Sequence, residues 1–168
     1  MERRSLGVLA GLFMALLGAW LLTASRGPER LGGGPLVLST LSGEKVAWGS
    51  CPAAKCLSVY VAPWCGVCRA STPFINAVVA YLNAHGAPAR VVVGQGTPEQ
   101  VAAYAKDFGP GTLLDPGGRV PLAGGVPQFI VTAADGTVLK RQPGVPRIIP
   151  PPIAEADVRE LASYLGLP

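Results

Sequence analysis

Leu57-Ser58-Val59-Tyr60-Val61-Ala62-Pro63-Trp64-Cys65-Gly66-Val67-Cys68-Arg69 is the stretch on which the fold turns. Leu57 to Val61 is a short β-rich run that stops abruptly at Ala62-Pro63. Two cysteines follow, two residues apart, where a helix is predicted to start and run to about Ala84, bent by Pro73. Cysteines this close at a helix start can close a small disulfide ring. Cys65 sits where unpaired backbone N–H groups and the positive helix end face outward and stabilise a thiolate, the attacking form of the sulfur. Cys68, one turn later, is predicted to be more buried and to resolve a mixed disulfide. Trp64 shields the pair and offers an apolar rest for a substrate chain. The chemistry expected is thiol–disulfide exchange through an intermediate linked to Cys65.

A bare Cys-x-x-Cys pattern has competing readings. Covalent haem attachment needs a histidine after the second cysteine, and Arg69 stands there. A zinc site built from all four cysteines (51, 56, 65 and 68) or a merely structural disulfide also fits the spacing. The Trp-Cys-Gly-Val-Cys context between a β-run and a helix favours redox work, with no cofactor and no metal. A peroxidase would need a Pro-x-x-x-Thr-x-x-Cys pattern, which does not occur. All four cysteines fall within 51–68, whereas a stapled mini-protein spreads its bridges along the chain. Cys51 and Cys56 read as a second disulfide closing a short loop. The sharper alternative is a second redox pair relaying electrons to or from Cys65 and Cys68.

Outward from this region, the 168 residues have room for one domain and an appendage. Met1 to Arg4 is a short basic segment, and Leu6 to Thr23 follows without a charge. Eighteen apolar residues at about 1.5 Å each reach roughly 27 Å, enough for a bilayer core. Residues 1–25 are therefore predicted to be a membrane anchor, with a cleaved signal peptide as the competitor. Residues 26–35, rich in Gly and polar side chains, form a tether, and 36–168 form the domain. Either reading of the N-terminus exports the domain into an oxidising space, where paired cysteines persist as disulfides. The net charge of +4 comes from scattered basic residues without interleaved aromatics, so a nucleic-acid surface is not supported.

Within the domain, Pro35–Leu41, Glu44–Trp48, Leu57–Val61, Arg90–Gly94, Gln128–Thr132 and Val138–Arg141 have strand character. Arg90–Gly94 is a continuous apolar run of the kind a central parallel strand shows. Thr97-Pro98-Glu99-Gln100 opens a helix with a capping box and runs to about Phe108. Gly109–Gly125 reads as a Gly/Pro-rich connection, Asp135-Gly136 as a hairpin turn, and Ala154–Leu165 as an amphipathic terminal helix. The order β-β-β-α-β-α-β-β-α predicts an α/β fold, a mixed sheet with helices on both faces.

At this point the sequence resembles the thioredoxin superfamily. Ala62 to Arg69 is similar to the thioredoxin active-site segment, with Pro73 matching its helix-kinking proline. Gly125-Val126-Pro127 before the strand from Gln128 is similar to the cis-proline loop. The resemblance covers about residues 36–166 and implies a thioredoxin-like fold in which Pro127 packs beside the disulfide and the Val126 backbone pairs with a bound substrate strand. The anchor, the Cys-Arg-x-x-x-Pro continuation and the long segment before Pro127 most resemble tethered TlpA/ResA-type proteins. That implies protein thiol or disulfide substrates, a membrane electron donor or acceptor, and reductase work such as cytochrome c assembly. Disulfide formation or isomerisation, and a redox-inactive chaperone or adaptor, are the rivals. Two departures stand out. The buried acid six residues before the first cysteine is Val59, and the glutamate three residues after the second is Ser71. Lys55, Lys106, Asp107 and Asp115 are the candidates to replace them. The lone His85 reads as a surface residue near a helix end.

Overall fold

The computed structural model describes residues 36–168. The predicted anchor and tether, 1–25 and 26–35, lie outside the described residues. Among those described, no helix is long and apolar enough to cross a membrane.

The element that organises the sheet is β3, Lys55–Val61, which follows β1, Val37–Thr40, and β2, Lys45–Ala47. Its neighbours are β4, Ala89–Gly94, running parallel, and β6, Gln128–Ala133, running antiparallel, so both of its edges are hydrogen-bonded. Leu57, Val59, Tyr60 and Val61 are fully buried, each contributing roughly 1.5–3 kcal/mol of apolar burial. A strand sealed on both faces reads as an unbroken apolar run rather than an alternating one. With β5, Leu113–Asp115, and β7, Val138–Pro143, the seven strands take the order β2-β1-β5-β4-β3-β6-β7. The sheet is mixed, as expected, and β4 is parallel to both of its neighbours.

Three sequence expectations change. β5 lies inside the stretch read as a connection. It is only three residues long, with Gly109-Pro110-Gly111 before it and Pro116-Gly117-Gly118 after it, so turn signals hide it. The helix expected from the cysteines to Ala84 is two pieces, α1, Gly66–Ala70, and α2, Thr72–Ala84, broken at Ser71 just before Pro73. The helices also do not divide between the faces. Buried residues of α2, of α3, Pro98–Ala105, and of α4, Glu155–Leu165, share one core with Leu57, Val59 and Val61. From β3 to β4 to β5 the chain steps in one direction across the sheet, and right-handed crossovers then put both connecting helices on the same side.

The other face carries Leu38, Tyr60, Val92, Leu113 and Ile130, which among the described residues are covered by Trp48 and Val120 rather than by a helix. At its centre Asp115, fully buried, accepts bonds from Tyr60 Oη at 3.0 Å and from the Arg119 and Val120 N–H groups, each at 2.9 Å. Burial, with the Asp115 charge beside it, holds the Tyr60 phenol far above the usual tyrosine range, so it stays a donor. Gly94 makes room for this pair, since a Cβ there would stand 1.9 Å from Tyr60 Oη and 2.6 Å from the Asp115 carbonyl. The predicted capping box of α3 forms, with Gln100 N–H donating to Thr97 Oγ1 at 3.3 Å and Thr97 N–H to Gln100 Oε1 at 3.0 Å.

Tyr60→Phe removes one of the donors on a buried carboxylate. Urea unfolding of the variant is expected to show a loss of about 2 kcal/mol; a change within error would mean that Asp115 is satisfied without the phenol.

Candidate active site

β3 ends at Val61, and Ala62-Pro63-Trp64 carries the chain straight into Cys65, the N-cap of α1. Cys65 and Cys68 form a disulfide with Cα atoms 5.2 Å apart, and the Cys68 N–H donates to Cys65 Sγ at 3.0 Å. That donor is one of the orphan N–H groups of a helix start, as expected for the sulfur that is to carry charge. Cys65 keeps 6% of its surface exposed and Cys68 none. Both are buried, and Cys68 is the more buried of the two, the order of burial expected from the sequence.

The Val126-Pro127 peptide is cis. Val126 O lies 3.5 Å from Cys65 Sγ, and Pro127 O accepts from Gly144 N–H at 2.7 Å. Two segments distant in sequence are thereby brought against one sulfur, as the resemblance implies. Trp64 is 65% exposed, its Nε1–H donating to Gln95 O at 2.7 Å. Sequence reasoning missed the support behind the motif. Arg69, read only as the residue that rules out haem, donates from Nε to Pro63 O at 2.8 Å and lays its guanidinium 4.8 Å from the centre of the Tyr104 ring. Thr72 Oγ1 donates to Cys68 O at 3.1 Å and lies 3.0 Å from Tyr104 Oη. The pairing of Tyr104 with Thr72 crosses between helices and leaves no local pattern in the sequence.

No family model matches the chain. No curated protein matches it either. Solved structures do. A secreted Mycobacterium tuberculosis disulfide oxidoreductase homologous to E. coli DsbE superposes with a TM-score of 0.56 at 19% identity, over 79% of this chain and 95% of that one. A thio-disulfide isomerase from Thermus thermophilus gives 0.56 at 21% identity, over 85% and 99%. The exposed lipoprotein thioredoxin Etrx1 of Streptococcus pneumoniae gives 0.56 at 16% identity, over 78% and 99%. The chain has the thioredoxin fold.

On this thioredoxin fold the surroundings of Cys68 are apolar. Val59, where the resemblance would put an acid, is fully buried in the same core as Cys68. Ser71 is also buried, and its Oγ has no hydrogen-bond partner among the described residues. Two of the replacements expected from sequence are placed elsewhere. Lys55 is at the opposite end of β3, where Nζ donates to Gly166 O at 2.8 Å. Asp115 belongs to the face of the sheet away from the helices and is taken up by Tyr60 and the turn after β5. Lys106 and Asp107 lie in the 3-10 turn Lys106–Phe108 after α3, with Asp107 O accepting from Asn76 Nδ2 at 2.8 Å. His85 caps the C-terminal end of α2, exposed and stacked on Tyr81 with ring centres 4.0 Å apart.

Cys51 and Cys56 form the second disulfide, Cα atoms 5.6 Å apart. Cys56 is at the start of β3 and Cys65 is beyond its end. The length of that strand, at about 3.3 Å per residue, separates the two pairs by roughly 20 Å. Neither direct exchange between them nor a zinc site shared by all four sulfurs is compatible with the intact strand.

Replacing both Cys51 and Cys56 by Ser opens the short loop that they close. Denaturant unfolding is expected to show a loss of about 2 kcal/mol, with reaction of Cys65–Cys68 towards a disulfide substrate unchanged. A fall in turnover without a fall in stability would restore the relay.

Proposed function

We infer that this chain is a thiol–disulfide oxidoreductase acting on protein disulfides outside the cytoplasm, with Cys65 as nucleophile and Cys68 as resolving residue. The observation that carries this is the sulfur pair itself. Cys65 keeps a sliver of exposed surface and its Sγ accepts a helix N–H at 3.0 Å, while Cys68 is fully buried. Val126 O at 3.5 Å from Cys65 Sγ supports a role for the Val126-Pro127 edge in holding the substrate backbone, and exposed Trp64 supports one for the apolar rim.

The reductive direction is the one the resemblance implies. The Cys65 thiolate attacks one sulfur of the substrate disulfide, a mixed disulfide forms, and the other substrate sulfur leaves as a thiolate. The Cys68 thiolate then attacks Cys65 Sγ, the mixed bond breaks, and the second substrate sulfur departs. The substrate has gained two electrons, and Cys65–Cys68 is left as the disulfide to be reduced again by a donor in the membrane. Leu6–Thr23 supports attachment to that membrane. The secreted and surface-exposed relatives in structure support the compartment. Reductive service to cytochrome c assembly is the role that best fits the TlpA/ResA-type resemblance.

Cys68→Ser is expected to trap a mixed disulfide through Cys65, seen as a slower band on non-reducing gels, and Cys65→Ser to trap none. If the Cys68→Ser variant forms its adduct through any residue other than Cys65, or forms none, the assigned roles fall. The reduction potential of the full-length chain, from a dithiothreitol titration, is expected nearer the about −270 mV of a reductant than the about −120 mV of a strong oxidant. A value at the oxidising end transfers the function to disulfide formation.

A further inference from the structure

The loop that places Val126 beside Cys65 has few restraints of its own. Among the described residues, 121–126 make no backbone–backbone hydrogen bond. Gly124 holds φ at +98°, and a Cβ on Gly125 would meet nothing within 4 Å, so packing does not confine that position. Two consecutive glycines immediately before the substrate-facing peptide ought to leave it mobile.

A side chain spans this gap. Gln128, the residue after the cis peptide, is fully buried although it carries an uncharged polar group that water would otherwise solvate. Its Nε2–H donates to Ala123 O at 2.7 Å, and its Oε1 accepts from Ala123 N–H at 3.3 Å. The carboxamide thus imitates a strand partner and ties the residue before Gly124-Gly125 to the residue after Pro127. Arg141 on β7 donates from Nη1 to Gln128 Oε1 at 2.8 Å and to Pro121 O at 3.3 Å, fixing the amide from behind. These hydrogen bonds tie the amide to the loop and to β7, not to the sulfurs.

We propose that Gln128, backed by Arg141, is a positioning residue that staples Ala123 across Gly124-Gly125 and so presets the Val126 backbone for pairing with a substrate chain. This rests on the function proposed above. The sulfur chemistry does not need the staple; only a substrate that uses the Val126 edge does. A polypeptide disulfide does so, while a small aromatic disulfide reaches Cys65 without it.

The test compares Gln128→Met, close in size but without the polar amide, with the wild-type full-length chain on two substrates, an oxidised peptide and dithiobisnitrobenzoate. KM for the peptide is expected to rise roughly tenfold with kcat held, while the rate with the small disulfide and the Cys65–Cys68 reduction potential stay unchanged. Parallel losses on both substrates, or no loss on either, overturn the proposal. Should Gln128→Met fail to fold, Gln128→Glu keeps the acceptor for Ala123 N–H and Arg141 and turns the donation to Ala123 O into a contact between two acceptor oxygens. The same split between substrates is expected there, and its absence is equally fatal. Hydrogen exchange at the Ala123 amide, which donates to Gln128 Oε1, read in Gln128→Met with no substrate, separates the staple from the function. Faster exchange in the variant, with a wild type that turns over neither disulfide, keeps the staple and overturns the proposed activity. Unchanged exchange overturns the staple whatever the activity.

Discussion

The structure depends on a strand that has no free edge. β3 is bonded to β4 along one side and to β6 along the other, and its apolar side chains are buried on both faces of the sheet. A strand held in this way cannot slide or tilt without breaking two ladders at once. Whatever leaves its end is therefore aimed as firmly as the sheet itself. What leaves its end is Trp64-Cys65. β6 brings the second half of the site by the same logic, since it is the antiparallel partner of β3 and Pro127 stands just before its first residue. One pairing thus brings together two segments far apart in sequence.

The two faces of the sheet then divide the labour. The helical face seals Cys68 among aliphatic side chains and supplies the N–H that meets Cys65. Among the described residues the opposite face has no helix and is closed by the chain's own connections, over strand side chains that bring polar groups with them: Asp115 of β5 with Tyr60 of β3, and Gln128 of β6 with Ala123 of the connection. Buried polar groups of this kind are tolerated because their partners are present. They also organise the connection from β5 to β6 at both of its ends, which a purely apolar closure would leave free to slide.

Much of this was legible from residues alone, for reasons that can be named. The continuous apolar runs of β3 and β4, the Thr97–Gln100 capping box and the Asp135-Gly136 turn are local patterns whose physics sits within a few residues. The Cys-x-x-Cys spacing and Val126-Pro127 were equally local, and their meeting followed from the resemblance. What escaped was set by distance in sequence or by brevity. β5 is too short to outweigh the glycines and prolines on either side of it. The division of the helices depends on the direction in which strands are added, which no single segment encodes. Lys55 and Asp115 looked available as acid–base groups, yet the first answers to Gly166 O and the second to Tyr60, partners distant in the chain. The contacts of Arg69 and Thr72 with Tyr104 are invisible for the same reason.

The indole of Trp64, tied by its N–H to Gln95 O, has a thermodynamic consequence for recognition. A large exposed aromatic on a free side chain surrenders rotational freedom when a partner covers it. Here that freedom has been given up during folding, before any partner arrives. Any chain that comes to cover the ring can then draw on its buried area with little entropic penalty for ordering it.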